Sequence, residues 1–154
     1  MNEQNQISFE SLGSDSLEAV VVLDDETNGS QRRGFFTKRL QAQEKHPEAF
    51  ISIAANSEGA LAGFVCCHLL EGEFGSSELI AVLDAIAVSP GHQGHGIGRG
   101  LMSQLKEQLN ERGASELRTQ AGWDQPGVAG FFSGAGLQLA PRLIVERSTR
   151  DVRF

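Results

Sequence analysis

Residues 79–101 constrain the fold of this chain more tightly than any other stretch. Leu79–Val88 is apolar at almost every position, and Pro90-Gly91 ends the run. Such a run suits a central strand buried on both faces. From Ile97 the period changes. Ile97, Leu101, Leu105 and Leu109 recur every four residues with Met102 alongside, which predicts a helix to Arg112 stopped by Gly113. Between strand and helix, Gly91, Gly94, Gly96, Gly98 and Gly100 crowd the point where the helix begins. A helix N-terminus presents unpaired N–H groups and the positive end of the helix dipole, so it suits an anion. Glycine there lets a phosphate approach the backbone with no Cβ in the way. A tight turn that merely lets the helix pack closely is the plainer alternative.

Two common phosphate loops do not fit. The pattern G-x-G-x-x-G fails because Arg99 or Leu101 stands where its last glycine belongs. The pattern G-x-x-x-x-G-K fails because Gly91 and Gly96 are followed by Ile97 rather than lysine.

The rest of the chain reads as alternating strands and helices. Ile7–Leu12 alternates as a first strand. Ser14–Asn28 carries Leu17, Val20, Val21 and Leu23 at helical spacing, although its valine run also suits a strand. Gln31–His46 is a second helix ended by Pro47, with Phe35, Phe36, Arg39 and Leu40 on or beside one face. Phe50–Ala54 and Leu61–Leu70 form a hairpin about Glu58-Gly59. Ser115–Gln120 is a strand, Pro126 begins a helix reaching about Ala135, and Leu143–Arg147 is expected to be the last strand. No repeat or long linker interrupts the chain, so one domain over residues 1–154 is expected.

Composition narrows the partners. The 154 residues are 40% hydrophobic and 21% charged, as in a folded protein, with a net charge of −7. That charge argues against nucleic-acid binding, which needs a basic face, and is compatible with a cationic or amine-bearing substrate. The first six residues lack the basic and apolar features of a secretory signal, and no apolar run approaches the roughly 20 residues of a membrane span. Cys66 and Cys67, the only cysteines, sit together in an apolar run as buried thiols rather than a disulfide framework. A cytoplasmic protein with no membrane partner is expected.

Against this background, Gln93-Gly94-His95-Gly96-Ile97-Gly98 resembles the Q/R-x-x-G-x-G/A signature of the GNAT superfamily of N-acetyltransferases. The turn Val88-Ser89-Pro90 precedes it, as in the family. Downstream, Phe131-Phe132-Ser133-Gly134-Ala135-Gly136-Leu137 resembles the family's F-Y-x-x-x-G-F segment. Element order agrees from about Ile7 to the C-terminus.

The resemblance implies an α/β (α+β) fold: a mixed, mostly antiparallel sheet flanked by helices, with acetyl-CoA entering a V-shaped gap between two central strands. Gln93, Gly94, His95, Gly96, Ile97, Gly98 and Arg99 would line the CoA pyrophosphate. Backbone groups of Ile86, Ala87 and Val88 would hold pantetheine and acetyl, one N–H there stabilising the oxyanion. Phe132 joins the cofactor-binding set. The expected reaction is direct attack of a primary amine on the thioester in a ternary complex, with no metal. The acceptor is a small-molecule or peptide amine, and a homodimer is expected only because family members often dimerise.

An alkyl amine, with a pKa near 10, must lose a proton before attacking. Asp84, the one carboxylate inside the apolar strand, is the first candidate base or relay; Glu78, at the strand's start, is the second. A structural pairing of Asp84 with a neighbour is the competing reading. The chain has no tyrosine, and Phe132 stands where the family often places one to protonate the leaving thiolate. Ser133 or water would substitute, and a catalytically silent acyl-CoA sensor is the alternative function. His92 and His95 have no cysteine or carboxylate cluster beside them and read as loop residues near phosphate. His68 reads as an ordinary strand residue. Trp123-Asp124 is a core or turn pair more readily than a ligand contact, and Asp24, Asp25 and Glu26 read as a solvated acidic turn, with attraction of an amine as the alternative.

Overall fold

The computed structural model describes residues 6–29, 32–121 and 126–150. The chain divides into two compact units, one through Gln120 and one from Ala121. Trp123-Asp124 lies outside the described residues.

The first unit is a five-stranded sheet in sequential order, β1(Ile7–Ser11), β2(Phe50–Ser57), β3(Ala60–Glu71), β4(Leu79–Val88) and β5(Glu116–Arg118). The first four strands run antiparallel and β5 joins β4 in parallel. Helices α1(Leu17–Asn28) and α2(Arg33–Lys45) connect β1 to β2, and α3(Ile97–Arg112) connects β4 to β5. The bounds of β4 and α3 are those the apolar pattern predicts. Glu58 and Gly59 both take positive φ, 52° and 79°, the two-residue hairpin turn that joins β2 to β3.

The two faces of the sheet carry different partners. On one, Phe64, Cys66, Ala85 and Ala87 pack with Val20, Val21, Leu23, Phe36 and Leu40 of α1 and α2. On the other lies the stripe Ile97, Leu101, Leu105 and Leu109, every member buried. Gly63 on β3 makes that second packing close: a Cβ there would stand 3.1 Å from Ile97 Cγ2 and 3.3 Å from Leu101 Cδ1. Gly113, at φ 78°, ends α3, with Gly113 N–H donating to Asn110 O and Ala114 N–H to Leu109 O. This paired closure is the Schellman motif, and it confirms glycine as the stop.

Asp24 departs from its expected setting. It lies within α1 with its side chain fully buried. Arg32 Nε and Nη2 donate to its two oxygens at 2.9 and 2.5 Å, and Asn28 Nδ2 donates at 2.7 Å. The Asp24 hydrogen bond, ahead of the opposing effect of burial, raises the guanidinium pKa further. Arg32 also lies over the rings of Phe35 and Phe36. Asp24 thus fastens the α1–α2 turn, while Asp25 and Glu26 are exposed.

The second unit contains α4(Pro126–Gly134). Its end explains the downstream motif: Gly136 at φ 91° lets Leu137 N–H donate to Phe132 O and Gly136 N–H to Ser133 O. The strand expected at Leu143–Arg147 is not formed; the residues are irregular, and Leu143, Ile144 and Val145 are exposed. An apolar, β-branched run makes a strand only where a neighbouring edge pairs with it, and none of the described strands does so.

Candidate active site

Strand β4 and the turn after it assemble the site. Pairing of β4 with β5 is confined to Ile80↔Glu116, Ala81↔Leu117 and Val82↔Arg118. Thr119 Oγ1 donates to Leu83 O at 3.0 Å, one step past the last pair. Beyond that vertex, no strand of the first unit pairs with Leu83–Val88 on the β5 side. The edge runs for five residue steps, about 17 Å at strand rise. Its main chain offers hydrogen bonds to an extended ligand along the edge, while β3 secures the other side of β4 as far as Val88.

The turn after Val88 is built from its own donors and acceptors. Ser89 N–H donates to Ala62 O at 2.8 Å, a short helical turn spans Pro90–His92, and Gln93 Nε2 donates to Val88 O at 3.2 Å. Gln93 therefore spends its side-chain amide folding the loop back on the strand. Gly94 and Gly96 adopt φ 84° and 81°, and a Cβ at either would point into open space. Gly96 is the N-cap of α3, and no side chain caps the helix. The first intrahelical bond is Gly100 N–H to Gly96 O. The N–H groups of Ile97, Gly98 and Arg99 thus face outward at the positive end of a 16-residue helix. A set of free amides beside open, Cβ-less backbone fits a pyrophosphate. Arg99 is exposed beside it.

Asp84 lies at the vertex, but not alone among apolar groups as its strand neighbours imply. Its Oδ2 accepts from Arg39 Nη1 at 2.7 Å and lies 2.6 Å from His68 Nδ1. The side chains of Arg39, Asp84 and His68 are 10%, 19% and 27% exposed. Arg39 is clamped between two rings, its guanidinium carbon 5.0 Å from the centroids of both Phe35 and Phe50. A β-bulge brings the three together. Cys66 pairs with Ala85 and Cys67 with Leu83, so Asp84 is the extra residue of β4. Strict alternation would turn Asp84 away from the face that Ala85 shares with α1 and α2. The bulge turns it toward that face, where Arg39 waits.

The other sequence candidates are dispersed. Glu78 is exposed and accepts from Ser115 Oγ at 3.1 Å, six residues from Asp84 at the closed end of the β4–β5 pair. Ser133 is exposed and Phe132 buried in the second unit, with the Phe131 and Phe132 rings edge-to-face at 5.5 Å. Cys66 and Cys67 are buried free thiols. Burial pushes the Cys66 pKa up to about 11 and that of Cys67 higher still. Among the described residues no group of histidine, cysteine and carboxylate side chains is placed to hold a metal, and no helix is long and apolar enough to cross a membrane.

The comparisons with known proteins agree with the fold. The model of the Acetyltransferase (GNAT) family matches residues 17–135. The chain belongs to the GNAT acetyltransferase family and is an acyltransferase. Among solved structures it is similar to aminoglycoside N-acetyltransferase AAC(6')-Iy in complex with CoA, at 15% identity and TM-score 0.78, covering 97% of this chain and 99% of that one. It is also similar to aminoglycoside 6'-N-acetyltransferase AAC(6')-Ih from Acinetobacter baumannii, at 13% identity and TM-score 0.78, covering 95% and 100%. A third is ribosomal-protein-alanine N-acetyltransferase from Brucella melitensis, at 20% identity and TM-score 0.65, covering 97% and 99%. At these identities the likeness is one of fold. No curated protein matches the sequence.

Proposed function

We propose that this acetyltransferase moves acetyl from acetyl-CoA to a primary amine by direct attack in a ternary complex. The observation that carries the reading is the β4 edge that no strand of the first unit pairs, ending at a loop of free amides. Its length, about 17 Å, is of the order of an extended pantetheine arm. The pyrophosphate sits on the backbone of Gln93–Arg99, with the N–H groups of Ile97, Gly98 and Arg99 as donors. Pantetheine runs along Val88, Ala87 and Ile86, and an N–H of this stretch stabilises the oxyanion. The closed β4–β5 pair at Val82 stops the arm, so the thioester lies toward the vertex.

The proposed acceptor is a small molecule with several amino groups. Solved neighbours include an aminoglycoside acetyltransferase in complex with sisomicin and AAC(6')-Iy with a CoA–acetylneamine bisubstrate analogue. A net charge of −7 favours such polycations over anionic acceptors.

The absence of tyrosine, with Phe132 at the family's tyrosine position, supports a second reading, an acyl-CoA-binding sensor without turnover. In the catalytic reading, water protonates the leaving thiolate, whose ordinary pKa of about 8.5 makes that a modest demand. The deciding experiment measures CoA thiol release from acetyl-CoA with sisomicin, neamine, simple alkyl amines and no amine. Amine-dependent release supports the enzyme. Tight acetyl-CoA binding with release no faster than the no-amine control supports the sensor.

A further inference from the structure

Resting on that reading, we infer that the proton acceptor for the attacking amine is His68, and that Asp84 is its positioning residue rather than the base. Asp84 Oδ2 is already occupied by Arg39 Nη1 and His68 Nδ1. A carboxylate oxygen shared with Arg39 accepts, so His68 Nδ1 is the nitrogen that donates to it and Nε2 is the one left to take a proton. Nε2 has no hydrogen-bond partner among the described residues, and the side chain is 27% exposed. The dyad lies at the vertex, Asp84 being two residues from Ile86, where the thioester is proposed to rest.

The surroundings hold the ring still. His68 pairs across the sheet with Phe50 of β2, whose ring also supports Arg39. The titratable and charged groups that reach it are Asp84 from β4 and, through that carboxylate, Arg39 from α2; Cys66, two residues along β3 on the same face, is kept protonated by burial.

The proton balance closes. An alkylammonium gives one proton to His68 Nε2, and the freed amine forms the C–N bond at the thioester carbonyl. The C–S bond breaks, the second amine proton goes to the departing thiolate, directly or through water, and His68 releases its proton to solvent. The products are the amide, CoA thiol and one proton.

The test compares two nucleophiles on wild type, His68→Gln and His68→Ala. Sisomicin is protonated at neutral pH and needs a base; hydroxylamine is already largely unprotonated and does not. Loss of the base is expected to lower kcat with sisomicin about 10²- to 10⁴-fold, with hydroxylamine turnover and CoA affinity within about twofold of wild type. The rising limb of the sisomicin pH–rate profile should move up toward the pKa of the amine itself. Added imidazole should partly restore His68→Ala. Asp84→Asn should lower kcat with sisomicin and leave the KM for acetyl-CoA unchanged.

Equal losses with both nucleophiles would mark His68 as structural and overturn the inference, and so would an unchanged sisomicin rate in His68→Gln. Wild type silent with both nucleophiles would instead overturn the enzymatic reading, and the inference with it.

Discussion

Replacing Gly96 with alanine tests the cofactor loop at its most exacting position. Gly96 adopts φ 81° at the N-cap of α3, and a Cβ there would meet nothing within 4 Å. The penalty is therefore in the backbone rather than in a clash. A left-handed conformation costs an L-residue about 1–2 kcal/mol. The free loop can relieve that strain by rotating φ to negative values, which swings the N–H groups of Ile97, Gly98 and Arg99 out of line. Binding must then restore the strained geometry, and affinity falls by up to the same amount. CoA dissociation constants should rise about 5- to 30-fold. Asparagine, which tolerates this region better, should fall between glycine and alanine. Calorimetric titration with CoA, and with pantetheine as a probe lacking the pyrophosphate, separates loop from strand. Only CoA should weaken. Equal weakening of both ligands, or of neither, would refute the assignment of the pyrophosphate to these amides.

Three further outcomes follow from the packing. Arg32→Met should destabilise the fold by about 2–3 kcal/mol in urea unfolding, the low side of the usual 3–5 for a broken buried pair because Arg32 is 36% exposed. The double variant Asp24→Leu/Arg32→Met should recover most of that loss, and additive losses would show that the pair is not coupled. Gly100→Ala should cost about 1–2 kcal/mol despite alanine's helix preference, since its Cβ would stand 2.4 Å from Phe9 Cζ; adding Phe9→Leu should reverse the sign. For the thiols the sign is direct: with Cys66 at about 11, the thiolate is about one part in a thousand at pH 8, so a thiol reagent should label neither cysteine until the protein unfolds.

What was legible in the sequence was what depends on neighbours along the chain. Apolar runs and helical spacing placed β4 and α3, and glycines at 94, 96 and 113 marked turns that do take positive φ. Contacts between distant segments left no such trace. Arg39 lies 45 residues from Asp84 and His68 lies 16, and a bulge has no signature in an apolar run. With strict alternation assumed, His68 had no reason to meet a carboxylate. The cue that was present is chemical: Asp84 is a charge set within an apolar strand, and a charge buried in a core tends to be paired. Leu143–Arg147 failed for the complementary reason, since strand propensity describes fitness for an edge and not the presence of one.

The bulge has a consequence that belongs to chain length rather than to chemistry. Every residue of β4 except Asp84 has a counterpart on β3. Excising Asp84 would join Leu83 to Ala85 and leave each remaining pair matched and each remaining side chain on its present face. The sheet therefore treats Asp84 as supernumerary: removing it redraws none of the strand pairs around it. Deleting Asp84 should yield a protein that still folds and has lost its grip on Arg39 and His68.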